Sequence, residues 1–322
     1  SKEISYETIQ MITNIRLGIS DFDSIHPYLT KNREILYLDQ LIFEPLLTIT
    51  QDYKIENCLA KEWTKVGEKS YLLKLKENVT WQDGSSFRAE DVKFSIETLQ
   101  KEEDSIYIEN VKDIAKVEIV DDTTIRLELT KEIPFFEYQL IFPIMQAKQY
   151  ENQTISSLTQ IPLGTGMYQI SKLTDDQIQL VKNTKWHKID QKNANLETIT
   201  VSIYETMGEI YNEFKLGNID MIHTTNENVT EYIGSMGYGK KGYENREYDY
   251  LAFNCEDSIL QYPEVRKAIS LSLNQERITA SVLESKATAS YFSLPEGHYL
   301  LGDATFDKKT DVGEAKDILQ EA

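Results

Sequence analysis

The apolar positions of this chain change period several times. Tyr71, Leu73 and Leu75 alternate with polar neighbours, and Val79 and Trp81 continue the phase, which predicts a strand with one face in a core that also takes Trp81. Asp83-Gly84 then signals a turn. From Ala89 to Leu99 the spacing becomes helical, with Val92, Ile96 and Leu99 on one face and Glu90 and Asp91 suited to the first turn. Alternation resumes from Lys116 to Leu129 around Asp121-Asp122, and again in Tyr168–Leu173 and Ile178–Val181 around Asp175-Asp176, predicting two hairpins. Further strands are expected at Asn14–Gly18, through Ile199, Val201 and Ile203, at Ile219–His223 and at Tyr248–Asn254. Ile35, Leu38, Leu41 and Ile42 predict a helix from Arg33 that ends before Pro45. Thr206 and Glu209 have capping-box spacing, and Gly217 closes the helix they open. Pro263 and Asn274 mark two later helix starts, and Gly313–Ala322 reads as a short final helix.

Composition narrows the picture. A chain of 322 residues, 40% of them hydrophobic, has room for about two domains. Its 34 basic and 53 acidic residues give a net charge of −19, which argues against binding nucleic acid or anionic lipid surfaces. No apolar run is long enough to span a bilayer, and the first residues carry no apolar leader. Cys58 and Cys255 are too few for a four-thiolate zinc site; they read as two buried thiols, with a disulfide between them left open.

Enzyme signatures are missing. The four histidines, His26, His187, His223 and His298, are dispersed, and no HExxH, GxSxG or P-loop occurs. Gly164-Thr165-Gly166 begins like a dinucleotide loop, but a strand pattern follows it, so a tight turn is the better reading. The acid pairs Asp121-Asp122 and Asp175-Asp176 lie between alternating strands and read as turns.

Six phrases in order resemble the family 5 extracellular solute-binding proteins of ABC importers, the oligopeptide- and dipeptide-binding group. They are Phe43-Glu44-Pro45-Leu46-Leu47; Cys58–Trp63 (CLAKEW); Leu73–Asp91, the fullest match; Pro162–Tyr168 (PLGTGMY); Phe214–Met221 (FKLGNIDM); and Leu251–Arg277. Pro45, Met167 and Asn274 depart from the usual glycine, proline and aspartate of those phrases. The resemblance implies an α/β, periplasmic-binding-protein-like fold of the class II type. One lobe would comprise about 1–50 and 161–254, an inserted α+β domain 51–160, and a truncated second lobe 255–322. It further implies a substrate-binding component that takes up extracellular peptides or a similar small solute and passes it to ABC permease subunits. Neither catalysis, cofactor nor metal is implied. The expected location is a bacterial cell-surface lipoprotein (periplasmic where there is an outer membrane), held to the membrane only through a lipid anchor outside this chain.

Position in the family pattern marks Asn32, Arg33, Glu34 and Ile35, the stretch His223-Thr224-Thr225, and Tyr248 and Tyr250 as ligand-binding candidates. The first group sits where relatives offer backbone to an extended peptide. The tyrosines would present rings that stack and hydroxyls that hydrogen-bond. Since the chain stops in what resembles the early second lobe, peptide binding by it alone is expected to be weak, with dissociation constants above roughly 100 μM. Two other readings stand beside this one: a sensor or interaction module that keeps the fold, and a carboxylate hydrolase.

Overall fold

A computed structural model describes residues 13–151, 153–157, 160–190, 194–224, 237–243, 247–283, 286–294, 298–302 and 310–321. The chain forms two compact units, Ser1–Thr225 and Asn226–Ala322. The first contains strands β1 (Asn14–Ser20), β2 (Leu47–Ile49), β3 (Ile55–Asn57), β4 (Ala60–Gly67), β5 (Ser70–Leu75), β6 (Ile114–Asp121), β7 (Thr124–Leu129), β8 (Tyr168–Leu173), β9 (Gln177–Lys182) and β10 (Thr198–Tyr204). Its helices are α1 (Arg33–Ile42), α2 (Ala89–Leu99), α3 (Ile108–Val111) and α4 (Met207–Lys215).

Two four-stranded sheets organise this unit. One has the order β1-β10-β9-β8, with β1 parallel to β10 and the other pairs antiparallel. The other, β4-β5-β7-β6, is antiparallel throughout, and β2 pairs with β3 separately. The expected hairpins are therefore present, and Lys116–Leu129 lies in a different sheet from Ile199–Ile203. A single apolar cluster runs from Ile19 on β1 through α1, β5 and α2 to Val201 on β10.

Trp81 and Val92 are fully buried in that cluster, as the strand alternation and the helical spacing respectively predict. Asp91 ties this region together. One carboxylate oxygen accepts the Trp81 indole N–H at 3.1 Å and the Arg88 N–H at 2.9 Å, and the other accepts the Ala147 N–H at 2.9 Å. The helix start and the tryptophan are thus fixed by one side chain. Gly164-Thr165-Gly166 is a tight turn pressed against the end of α1: the Gly166 N–H donates to the Ile42 carbonyl at 2.8 Å. A Cβ on Gly164 would lie 1.8 Å from that same oxygen, so the glycine permits a close approach of backbones and no phosphate cradle is needed to explain it.

The second unit holds α5 (Pro263–Ser272), α6 (Gln275–Ser281) and α7 (Val312–Glu321). Ala268 on α5 and Ala315 on α7 are buried where these two helices pack, and Lys267 pairs with Glu314 at 3.5 Å. The Asn274 side chain caps α6 by accepting the Arg277 N–H at 2.8 Å.

Three expectations are corrected. Tyr248–Asn254 is not a strand; Tyr250 and Leu251 are largely exposed, so the alternation has no buried face to stabilise pairing. Ile219–His223 reduces to one parallel bridge between Leu17 and Met221. Of the cysteines, Cys58 is buried but Cys255 is exposed, and both are free thiols.

Candidate functional site

The carboxyl ends of the parallel pair β1 and β10 lie side by side, with Ser20 opposite Tyr204. In open α/β sheets, ligands bind beyond the carboxyl ends of parallel strands, where loops diverge. The chain leaves β1 through Asp21, which adopts a positive φ of 55°, a conformation aspartate tolerates better than most residues. Asp23 then builds the turn into α1: it accepts the Thr30 hydroxyl at 2.6 Å, the Lys31 N–H at 2.6 Å and the Ser24 N–H at 2.7 Å. Partial burial would raise its carboxyl, but these bonds outweigh that and hold it below the usual range.

Asn32 is the N-cap of α1. Its Oδ1 accepts the N–H groups of Glu34 (2.9 Å) and Ile35 (3.1 Å), and its Nδ2 donates to the carbonyls of Ser20 (2.7 Å) and Asp21 (2.9 Å). One side chain therefore fixes the helix start to the end of β1. Two backbone donors of the 32–35 stretch are thereby occupied, and the Ile35 side chain is fully buried. What this stretch presents outward is Arg33, Glu34 and, one turn on, Tyr37.

Glu34 meets His223, with Oε1 and Nδ1 3.2 Å apart. The His223 ring also packs edge-on against Tyr37, centroids 5.6 Å apart. The Thr224 and Tyr211 hydroxyls are 3.1 Å apart, which links this segment to α4. The segment is held by Arg16 on β1, whose Nε and Nη2 donate to Asp220 at 3.1 and 2.6 Å, while its backbone N–H adds a bond of 2.7 Å. The Arg16 side-chain bonds keep the Asp220 carboxyl below its ordinary range. Gly18 allows the close packing behind this strand: a Cβ there would come within 2.6 Å of Ile219.

The structure thus brings Glu34, His223 and Thr224 to one edge of the first unit, with Asn32 and Ile35 supporting them from below. Thr225 lies outside the described residues. Tyr248 and Tyr250 belong to the second unit, where their exposed rings stack on one another, 6.1 Å apart and 16° from parallel. Sequence reasoning missed Tyr37, Tyr211 and the Arg16–Asp220 pair. Tyr37 had a signal, since it follows Glu34 at i+3 on the same helix face; the others did not.

Chemically, the edge offers a carboxylate, an imidazole, two phenols and an aliphatic hydroxyl, a set suited to hydrogen-bonding a polar solute. Among the described residues, no group of three or more His, Cys, Asp or Glu side chains is arranged to hold a metal ion. Surface depressions around Glu109, Lys112 and Lys131, and around Lys93, Glu97 and Lys116, are lined by mixed charges on the α2, α3 and β6–β7 side of the unit.

The sequence model described as bacterial extracellular solute-binding proteins, family 5 Middle, matches residues 54–322. The chain belongs to this family. Its fold is periplasmic-binding-protein-like, as solved relatives show. CtaP, an ABC transporter substrate-binding protein from Listeria monocytogenes, is 25% identical with a TM-score of 0.75, over 97% of this chain and 65% of its own. NikZ from Campylobacter jejuni, solved in complex with Ni(L-His), is 24% identical with a TM-score of 0.72, over 96% of this chain and 63% of its own. The glutathione-binding protein GsiB of Salmonella typhi is 23% identical over 318 residues, covering 94% of this chain and 60% of GsiB. The chain thus spans about 60% of the length of such curated relatives. Among the described residues, no helix is long and apolar enough to cross a membrane.

Proposed function

We propose that this chain serves as the substrate-binding component of an ABC importer, taking extracellular peptides or a similar small solute for uptake. The observation that carries this reading is the Glu34–His223 pair, flanked by Tyr37 and Thr224, at the carboxyl ends of β1 and β10. A carboxylate can accept from a solute ammonium, and an imidazole can accept from or donate to amide groups. The relatives support a solute carrying amino-acid groups: one is named for glutathione, and another was solved with a nickel–histidine complex. In this reading Arg33, Glu34, His223 and Thr224 touch the solute directly. Asn32 and Ile35 set the helix that carries Arg33 and Glu34, and Thr225, Tyr248 and Tyr250 are assigned to solute binding as further candidates. The reading is non-enzymatic. It places lobe I at about 1–50 and 161–254, an inserted domain at 51–160 and the start of lobe II at 255–322. It further assigns permease subunits as partners and an extracellular, lipid-anchored location.

Calorimetry with di- to pentapeptides tests it. Saturable binding is expected, because the carboxylate, imidazole and hydroxyl groups of this edge can hydrogen-bond the polar groups of a peptide. Glu34→Gln and His223→Ala should each weaken binding several-fold while leaving the melting temperature within a few degrees. Failure of any peptide to bind at millimolar concentration, or full affinity in both variants, would contradict the assignment.

A further inference from the structure

A second polar cluster lies away from that edge, and the solute-binding reading does not use it. Glu44, just beyond the end of α1, is 6% exposed and receives five donors. The Lys188 ammonium and Trp186 indole donate to Oε1 at 3.0 and 3.3 Å, and the Cys58 thiol lies 3.6 Å from the same oxygen. His187 Nε2 and the Thr165 hydroxyl reach Oε2 at 2.9 and 3.0 Å. Lys188 Nζ is also only 3.1 Å from Cys58 Sγ. The thiol is 4% exposed, whereas the Lys188 side chain is 20% exposed, so small solutes reach the cluster from the lysine side.

A shared carboxylate thus holds an amine and a thiol in contact. We propose that Cys58 and Lys188 form a covalent sulfur–oxygen–nitrogen bridge when the folded protein meets hydrogen peroxide. In the first step Sγ attacks one peroxide oxygen; the O–O and S–H bonds break, an S–O bond forms, and water leaves, giving a sulfenic acid. A second peroxide then takes two electrons and two protons as the sulfenic oxygen bonds to Nζ, yielding two further waters. In sum, one thiol, one neutral amine and two peroxides become one S–O–NH link and three waters. The ammonium gives its proton to solvent beforehand, on the exposed side of Lys188. Geometry favours the oxygen-containing link over a direct S–N bond. A single inserted oxygen spans nearly the whole 3.1 Å gap, whereas a direct bond would pull both side chains off Glu44. Burial, aided by the Glu44 charge and opposed by Lys188, pushes the thiol up to about 11. Burial alone would lower the Lys188 ammonium, but the Glu44 and Cys58 interactions outweigh it and hold the group above its ordinary range. Both groups are therefore mostly protonated at neutral pH, so the reaction is slow and calls for alkaline buffer.

Such a link would staple the turn after β9 to the connection between β3 and β4, closing a loop of the chain in response to an oxidant. The test is a non-reducing peptide map of the folded chain after exposure to millimolar hydrogen peroxide, in a Cys255→Ser background that removes the exposed thiol. The expected product is a peptide pair joining Cys58 to Lys188, heavier than the two free peptides by one oxygen less two hydrogens, about 14 Da, and released by dithiothreitol. Alkylation of Cys58 after denaturation should fall in parallel. Lys188→Arg should abolish the pair and leave Cys58 as sulfinic or sulfonic acid. The wild-type map stands alone if that variant folds poorly. Overturning results are a Cys58 found only as thiol, sulfinic or sulfonic acid under conditions that fully oxidise Cys255 in the unmutated chain, or a cross-link lacking the added oxygen.

Discussion

Replacing Glu44 by glutamine removes one charge and keeps the shape of the side chain. Burial alone would raise the Glu44 carboxyl, but the His187 bond, with the charges of His187 and Lys188 and the Lys188 bond, overcomes it and holds the group at about 2, against an ordinary 4.5. At about 1.4 kcal/mol per tenfold change in proton affinity, that difference corresponds to about 3 kcal/mol of folding stability. The sign follows from the direction. A carboxyl depressed in the folded state contributes fully above its unfolded value near 4.5 and loses the contribution as pH falls towards 2. Glu44→Gln should therefore destabilise the first unit by about 3 kcal/mol at pH 7, because Lys188 is left partly buried without its counterion. The gap between variant and wild type should narrow steadily below pH 4.5. Urea unfolding followed by tryptophan fluorescence is the assay, since Trp63, Trp81 and Trp186 all lie in the first unit and report it alone. A variant within 1 kcal/mol of wild type at pH 7, or a deficit that does not change with pH, would refute the reasoning.

Trp81→Ala should cost about 3–5 kcal/mol in the same assay, since it empties a fully buried site and removes one of the two donors to an oxygen of Asp91, leaving the Arg88 N–H. Gly164→Ala should lower the melting temperature by several degrees because its Cβ meets the Ile42 carbonyl, while Gly208→Ala, with nothing nearer than 3.7 Å, should be neutral or mildly stabilising; equal effects would dismiss the steric argument. Asp39 on α1 is 1% exposed, and neither carboxyl oxygen has a hydrogen-bond partner among the described residues. Burial, with the nearby charge of Asp23, pushes its carboxyl well above the ordinary range. The folded state thus binds this proton more tightly than the unfolded chain, so the penalty grows as pH rises above about 4. Asp39→Asn should raise the melting temperature at pH 7.5 and not at pH 4, and a lowered value at pH 7.5 would show that the carboxylate has a partner.

The elements legible in the sequence were those with one buried face. β5, α2 and the β6–β7 and β8–β9 hairpins lie where alternation or helical spacing marked them, because Leu73, Val92, Leu127 and Leu180 must leave water together. β4 was invisible for the converse reason. Along Ala60–Gly67 only Ala60 is buried, so this edge strand is held by backbone bonds to β5 that leave no trace in side-chain pattern. Tyr248–Asn254 shows the opposite failure, alternation without a face to bury. At the candidate site, Glu34 and His223 were each marked by family position, yet their contact joins residues 189 apart in sequence, and no local signal encodes it. The Arg16–Asp220 pair, 204 apart, is likewise a product of bringing β1 beside Met221. Glu44 stood in a phrase that identified the family, but its five donors come from three distant segments and emerge only from the fold.

The central claim is that solute meets this chain at the carboxyl ends of β1 and β10. Titrating the isotope-labelled chain with a tripeptide while following backbone amide resonances locates the contact directly. The account predicts saturable shifts concentrated at Arg33, Glu34, Tyr37, His223 and Thr224, and greatly reduced in Glu34→Gln. Shifts confined to the β4–β7 sheet, or none at millimolar peptide, would contradict it.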